Sequence, residues 1–165
     1  MVNKPIFLIG MMGSGKSTVG SELAKRFNLS FIDTDAQIMF EEGRSVNSIF
    51  EEQGEAYFRL LEKKQIDQVL DNACVVACGG GLPCHGNLMA QLLAKGTVVY
   101  LKASAAVLYE RCQNDTARPL RRDFSSFQSL FNDRVAIYEK APIVVDAAQT
   151  IDEIVVEING RLSVS

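Results

Sequence analysis

Along the 165-residue chain, five short apolar runs stand out because hydrophobic and polar residues do not alternate within them: residues 6–9, 31–32, 74–78, 97–101 and 143–145. They are rich in β-branched and aromatic side chains and bounded by Gly, Asp, Ser or Pro. A strand with one wet face alternates. An unbroken apolar run is the mark of a strand covered on both faces, as in a parallel sheet. Between the runs the period changes. Val19, Leu23 and Phe27 recur every four residues. Similar stripes are carried by Phe58, Leu61, Ile66, Val69 and Leu70, by Leu88, Leu92 and Leu93, and by Val107, Leu108 and Arg111. Phe127, Leu130, Phe131, Val135 and Tyr138 make a fifth, and Ile151, Ile154, Val155, Ile158 and Leu162 a sixth. Spacings of three and four place residues on one helix face. Strands alternating with helices predict βαβ units and an α/β fold with helices flanking the sheet. Residues 114–126 are polar and aperiodic, which predicts a mobile loop.

Composition narrows the class. The length fits one domain, residues 1–165. A hydrophobic fraction of 47% and a charged fraction of 22% are ordinary for a globular chain. The net charge of −3 argues against a surface that gathers nucleic acid or anionic membranes. No apolar run approaches the ~20 residues of a spanning helix. Residues 6–9 are too few for a signal-peptide core, so the cytoplasm is the expected compartment. Cys74, Cys78, Cys84 and Cys112 lack zinc-type pairing, and the single histidine, His85, follows Cys84 directly. Free thiols are expected.

The first strand–helix turn carries specific chemistry. Gly10-Met11-Met12-Gly13-Ser14-Gly15-Lys16-Ser17 fills every fixed position of G-x-x-x-x-G-K-[ST], between an apolar strand and an amphipathic helix. Glycines let successive backbone N–H groups converge on phosphate oxygens, and the helix adds its positive end. Lys16 suits the β- and γ-phosphates, and the Ser17 hydroxyl suits Mg²⁺. The motif implies a nucleoside triphosphate. A small-molecule kinase, a GTPase switch and an ATPase motor all use it. A guanine-reading N-K-x-D is absent, and no apolar strand ends in Asp-Glu, as motors commonly need. Transfer to a bound acceptor is favoured.

An acceptor pocket has three candidate parts. Asp33 and Asp35 flank Thr34 at the end of the second strand, where open α/β sheets bind ligands. In extended chain the two carboxylates would share a face; alternatively, one of them caps the next helix. Gly79-Gly80-Gly81 follows the third strand and permits close backbone approach. Arg59, Arg111, Arg118 and Arg134 supply positive charge. Arg59 has Glu55 and Glu62 at helical spacing and could be a surface ion pair. Arg134 could lie on a solvated helix face. Arg111 could flank a base or pair with Glu110 or Asp115.

Taken together, these residues resemble the shikimate kinase family over nearly the whole chain. The resemblance rests on residues 10–18, Asp33-Thr34-Asp35, Gly43-Arg44-Ser45, Ile49-Phe50, Gly54-Glu55, Phe58-Arg59 with Glu62, Gly79-Gly80-Gly81, Val99-Tyr100-Leu101, Arg118-Pro119-Leu120, and Arg134 with Tyr138. It implies a three-layer P-loop kinase fold with a five-stranded parallel sheet in the order 2-3-1-4-5. It also implies a substrate-binding helical region around 34–62, a lid around 114–126, and a monomer. The implied reaction moves the γ-phosphoryl group of ATP to the 3-hydroxyl of shikimate. By the same resemblance, Gly13, Ser14, Gly15, Lys16, Ser17 and Thr18 bind the nucleotide, with Arg111 flanking adenine. Ser17 and Asp33 serve Mg²⁺. Asp35, Arg59, Gly80, Gly81 and Arg134 bind shikimate, with Phe50 and Phe58 walling its ring. Lys16, Asp35 and Arg118 are the catalytic set, Arg118 coming from the lid. The chain departs from the family's usual pattern in Leu82-Pro83-Cys84-His85 after the glycines and in Arg121-Arg122 after the lid motif. A gluconate kinase of the same fold is the nearest rival; a nucleotide-binding module without catalysis is another, though Lys16, Asp35 and Arg134 are all intact.

Overall fold

The computed structural model describes residues 3–115 and 123–163. Five parallel strands form one sheet in the order β2-β3-β1-β4-β5: β1 Ile6–Ile9, β2 Ser30–Asp33, β3 Cys74–Ala77, β4 Thr97–Lys102 and β5 Ile143–Asp146. Phe7 registers with Val76 of β3 on one side and Val98 of β4 on the other. The unbroken apolar runs have a simple cause. Phe7 and Ile9 point into one core with Val76, Val98 and Tyr100, while Ile6 and Leu8 point into the other with Val75, Val99 and Val145. Every β1 residue is fully buried, so neither face of the strand tolerates a polar residue.

Helices α1 (Lys16–Phe27) and α8 (Ile151–Ser163) close the second core with Val19, Leu23, Ile154 and Ile158. The first core is closed by α4 (Glu55–Val69), α5 (Leu88–Lys95), α6 (Ala105–Asn114) and α7 (Phe124–Tyr138). Two short helices, α2 (Thr34–Glu42) and α3 (Val46–Gln53), lean on α4 around a small separate core of Ile38, Ile49 and Phe58.

The expected sheet and its strand order are present. The stretch expected to loop at 114–126 is shorter as a connection: α6 runs through Asn114, and α7 begins at Phe124, capped by the Asp123 side chain on Ser126 N–H at 2.7 Å. Arg118, Arg121 and Arg122 lie outside the described residues. All four cysteines are free thiols. Among the described residues, no helix is long and apolar enough to cross a membrane.

Candidate active site

The C-terminal ends of β1, β2 and β3 open onto one cleft: strand ends and the helices that follow them bring Lys16, Ser17, Asp33, Asp35 and the triple glycine, and α4 and α7 bring Arg59 and Arg134. The phosphate loop joins β1 to α1. Gly15 caps α1 with φ +88°, a left-handed conformation that strains any residue with a Cβ. Lys16 folds back over its own loop, its Nζ donating to the carbonyls of Gly10 at 2.8 Å and Met11 at 3.0 Å. Burial lowers its pKa to about 8, against the pull of Asp35, Cys78 and Asp33. The two carbonyls thus hold the ammonium group inside the loop. Burial also pushes the Cys78 thiol up, so this cysteine is a neutral floor beneath Lys16.

Ser17 donates directly to Asp33 Oδ2, while Asp33 Oδ1 accepts from Ala36 N–H at 3.0 Å. Asp33 is therefore both the cap of α2 and the partner of Ser17. The extended-chain picture of Asp33 and Asp35 needs correction. Asp33 has extended backbone (φ −103°, ψ 115°), but its cap starts the helix immediately, placing Asp35 in the first turn of α2.

Thr34, between them, is fully buried and is a residue that pattern reading passes over. Its hydroxyl donates to the Ala77 carbonyl at 3.4 Å and accepts from Gly79 N–H at 2.9 Å. It fastens the start of α2 to the triple-glycine turn.

That turn is where charges of both signs meet. A Cβ at Gly79 would lie 2.5 Å from Asp35 Oδ1 and 3.0 Å from Glu62 Oε1. A Cβ at Gly81 would lie 2.7 Å from Arg59 Nη2 and 3.0 Å from Arg134 Nη2. The glycines are therefore required by close approach: carboxyls press on the first and guanidiniums on the third. Tyr138 holds the turn from behind, its hydroxyl donating to the Gly80 carbonyl at 2.5 Å. Pro83 begins no disorder; residues Leu82–Cys84 make a 3-10 turn, with Leu82 N–H bonded to the Gly79 carbonyl and Cys84 N–H to that of Gly81.

Arg59 is both an ion pair and a pocket residue. Its Nη1 donates to Glu62 at 2.6 Å, and its Nε and Nη2 donate to Glu55 Oε1 at 3.3 and 3.1 Å. The guanidinium also lies 5.8 and 5.5 Å from the ring centres of Phe50 and Phe58, within cation–π range. Glu62 is fully buried. Burial raises its pKa to about 7 despite Arg59, with the Asp35 charge adding to the rise. Its partly protonated state near neutrality relieves repulsion on the neighbouring Asp35 carboxylate. Arg134 is half-buried, not a solvated helix-face residue, and its Nη1 lies 3.9 Å from Met11 Sδ. Arg111 donates to the carbonyls of Gly13 at 3.3 Å and Ala147 at 2.8 Å, so it ties the phosphate loop to the segment after β5.

The cleft thus has Lys16 and its loop at one end and Asp35, Arg59 and Arg134 at the other, meeting at the triple glycine. The shikimate kinase family model matches residues 12–163. A shikimate kinase from Sulfurihydrogenibium sp. (strain YO3AOP1) is 40% identical over 165 residues, covering 96% of this chain and 99% of the relative. The solved shikimate kinase from Acinetobacter baumannii in complex with shikimate superimposes with a TM-score of 0.89 at 29% identity, covering 96% of this chain and 92% of that one. A gluconokinase from Sinorhizobium meliloti 1021 reaches a TM-score of only 0.61 at 22% identity over 94% of this chain and 89% of its own, so it shares the fold alone. With a matching family model along nearly its full length and relatives at this identity, the chain belongs to the shikimate kinase family.

Proposed function

We propose a division of labour among these residues for the family's reaction, transfer of the γ-phosphoryl group of ATP to the 3-hydroxyl of shikimate in chorismate and aromatic amino-acid biosynthesis. The chain is an ATP-dependent phosphotransferase. Lys16 leaves the carbonyls of Gly10 and Met11 for the β- and γ-phosphates, which the N–H groups of Gly13, Ser14, Gly15, Lys16, Ser17 and Thr18 surround at the positive end of α1. Arg111, anchored on Gly13, flanks adenine.

The touching pair of Ser17 hydroxyl and Asp33 carboxylate fits Mg²⁺, a hard cation that prefers few protein oxygens and keeps its water and phosphate ligands. Among the described residues no cluster of three or more His, Cys, Asp or Glu offers a fuller cage. Bound there, the ion neutralises charge on the phosphate oxygens.

At the other end, Arg59 and Arg134 take the shikimate carboxylate, with backbone at Gly80 and Gly81 meeting ring oxygens and Phe50 and Phe58 walling the ring. Guanidinium matches a carboxylate with paired donors. Asp35 orients the 3-hydroxyl and accepts its proton as the oxygen–phosphorus bond forms and ADP leaves. Arg118, by family resemblance, stabilises the transferring group from the lid around 114–126. The protein works as a cytoplasmic monomer on small molecules; its net charge of −3 supports the part of this reading that excludes nucleic acid and anionic membranes.

One observation carries this reading: two guanidiniums converge on Gly81 at the far end of a cleft whose near end is a complete phosphate loop. The test is ADP release with shikimate or gluconate as acceptor. Shikimate-dependent turnover is expected. Turnover with gluconate alone, or ATP binding without turnover on either acid, refutes it.

A further inference from the structure

His85 is the chain's only histidine and lies just after the 3-10 turn, at the rim of the acid-binding end. Its Nε2 is 3.6 Å from Glu55 Oε1, the same oxygen that accepts from Arg59 Nε and Nη2. One carboxylate oxygen therefore faces both a guanidinium and an imidazole, the latter cationic only when protonated. Arg59 spends three of its five N–H donors on acids: Glu55 takes one from Nε and one from Nη2, and Glu62 one from Nη1. A substrate carboxylate docking on the remaining Nη1 and Nη2 donors brings a further negative charge against these acids, and the repulsion moves whichever of them is free to move. Glu62 is buried with its side chain 1% exposed, whereas Glu55 is 57% exposed. Glu55 is the one that can leave, and the imidazole is positioned to receive it.

We propose that His85 takes Glu55 over from Arg59 when the acid substrate docks, so that substrate binding is accompanied by proton uptake at the imidazole. This rests on the reading that Arg59 holds the substrate carboxylate.

The charged groups around His85 agree in sign. Burial lowers its pKa, with repulsion from Arg59 and a smaller effect of Arg134 in the same direction, while Glu55 pulls it up. A substrate carboxylate neutralises both arginines, and a Glu55 released from Arg59 pairs more closely with the ring. Each change favours the imidazolium. His85 acts here as a positioning residue: its protonation sets how readily Arg59 is released, not how fast phosphoryl transfer proceeds.

The test is calorimetric titration of shikimate into the whole protein near pH 6.5, in buffers of different ionisation enthalpy, which counts protons taken up. The wild-type protein, His85→Gln, Glu55→Gln and Glu62→Gln are compared, the last because Glu62 is a second possible proton acceptor near neutrality. Uptake by the wild type is expected to fall sharply in His85→Gln and Glu55→Gln but to persist in Glu62→Gln. Shikimate affinity of the wild type should rise about two- to five-fold on going from about pH 8 to about pH 6, as befits a partly exposed ion pair, and His85→Gln should flatten that rise. Equal uptake in wild type and His85→Gln overturns the inference while leaving the proposed function intact. Absence of any shikimate binding overturns both.

Discussion

The Tyr138 hydroxyl, at the end of α7, donates to the carbonyl oxygen of Gly80 at 2.5 Å. The tyrosine is fully buried, its ring 5.2 Å from that of Tyr100. A side chain rooted in the hydrophobic core thus fixes the backbone of the triple-glycine turn. Tyr138→Phe removes the donor and leaves a half-buried carbonyl without it. The loss should be about 1–2 kcal/mol in chemical denaturation. Shikimate KM should rise while ATP KM stays near wild type. An unchanged shikimate KM would remove the turn from substrate binding.

Lys16 makes nucleotide binding pH-dependent. Its pKa in the free protein is about 8, and a triphosphate favours the charged form. Above that pH the lysine must regain a proton before it can pair. Affinity for ATP should therefore decline above about pH 8, by up to about tenfold per pH unit. Lys16→Met should bind ATP weakly at every pH and lack that slope. Titration of both proteins with ATP across the alkaline range is the measurement.

Glu62 should leave a mark on stability. Its carboxyl titrates at about 7 in the fold against an ordinary 4.5, so between those values the folded state binds more protons than the unfolded one. Stability should then fall as pH rises through that window. Glu62→Gln should lose this part of the slope, as read from urea midpoints at a series of pH values.

Gly81→Ala introduces a Cβ 2.7 Å from Arg59 Nη2 and 3.0 Å from Arg134 Nη2. Both are ends of flexible side chains, so the fold should survive while the guanidiniums are pushed apart. Shikimate KM should rise about tenfold, equivalent to ~1.4 kcal/mol, with ATP KM little changed. Parallel losses for both substrates would point to a wider collapse of the cleft.

Asp35→Asn keeps the shape of the first turn of α2 but removes the proton acceptor. Turnover should drop by at least about a hundredfold, with the ATP dissociation constant nearly unchanged. A comparable loss of ATP binding would contradict the assignment.

The sheet was legible because each central strand is buried on two faces, which leaves an unmistakable apolar run. The phosphate loop was legible because its glycines and lysine answer to a ligand with fixed geometry. Helices α2 and α3 were not resolved individually, since they rest on a core of only Ile38, Ile49 and Phe58 with neighbouring partners, too few to impose a periodic stripe. The role of Thr34 was invisible because both its partners, Ala77 and Gly79, come from more than 40 positions away. Helical spacing paired Glu62 with Arg59, but only packing against Gly79 reveals it as a buried acid. The 3-10 turn at Leu82–Cys84 gives the departure from the family's pattern after the glycines a defined shape, with Pro83 inside it.

The small core under α2, α3 and α4 has a practical bearing on redesign. Phe50 and Phe58 sit on it, apart from the two large cores that brace the sheet. A wider cleft for a bulkier acid can therefore be sought by repacking those two rings, with the thermal tolerance of the scaffold largely spared. Changes at Thr34 or Gly79 offer no such latitude, because there the donor and acceptor halves share a single hydroxyl clasp.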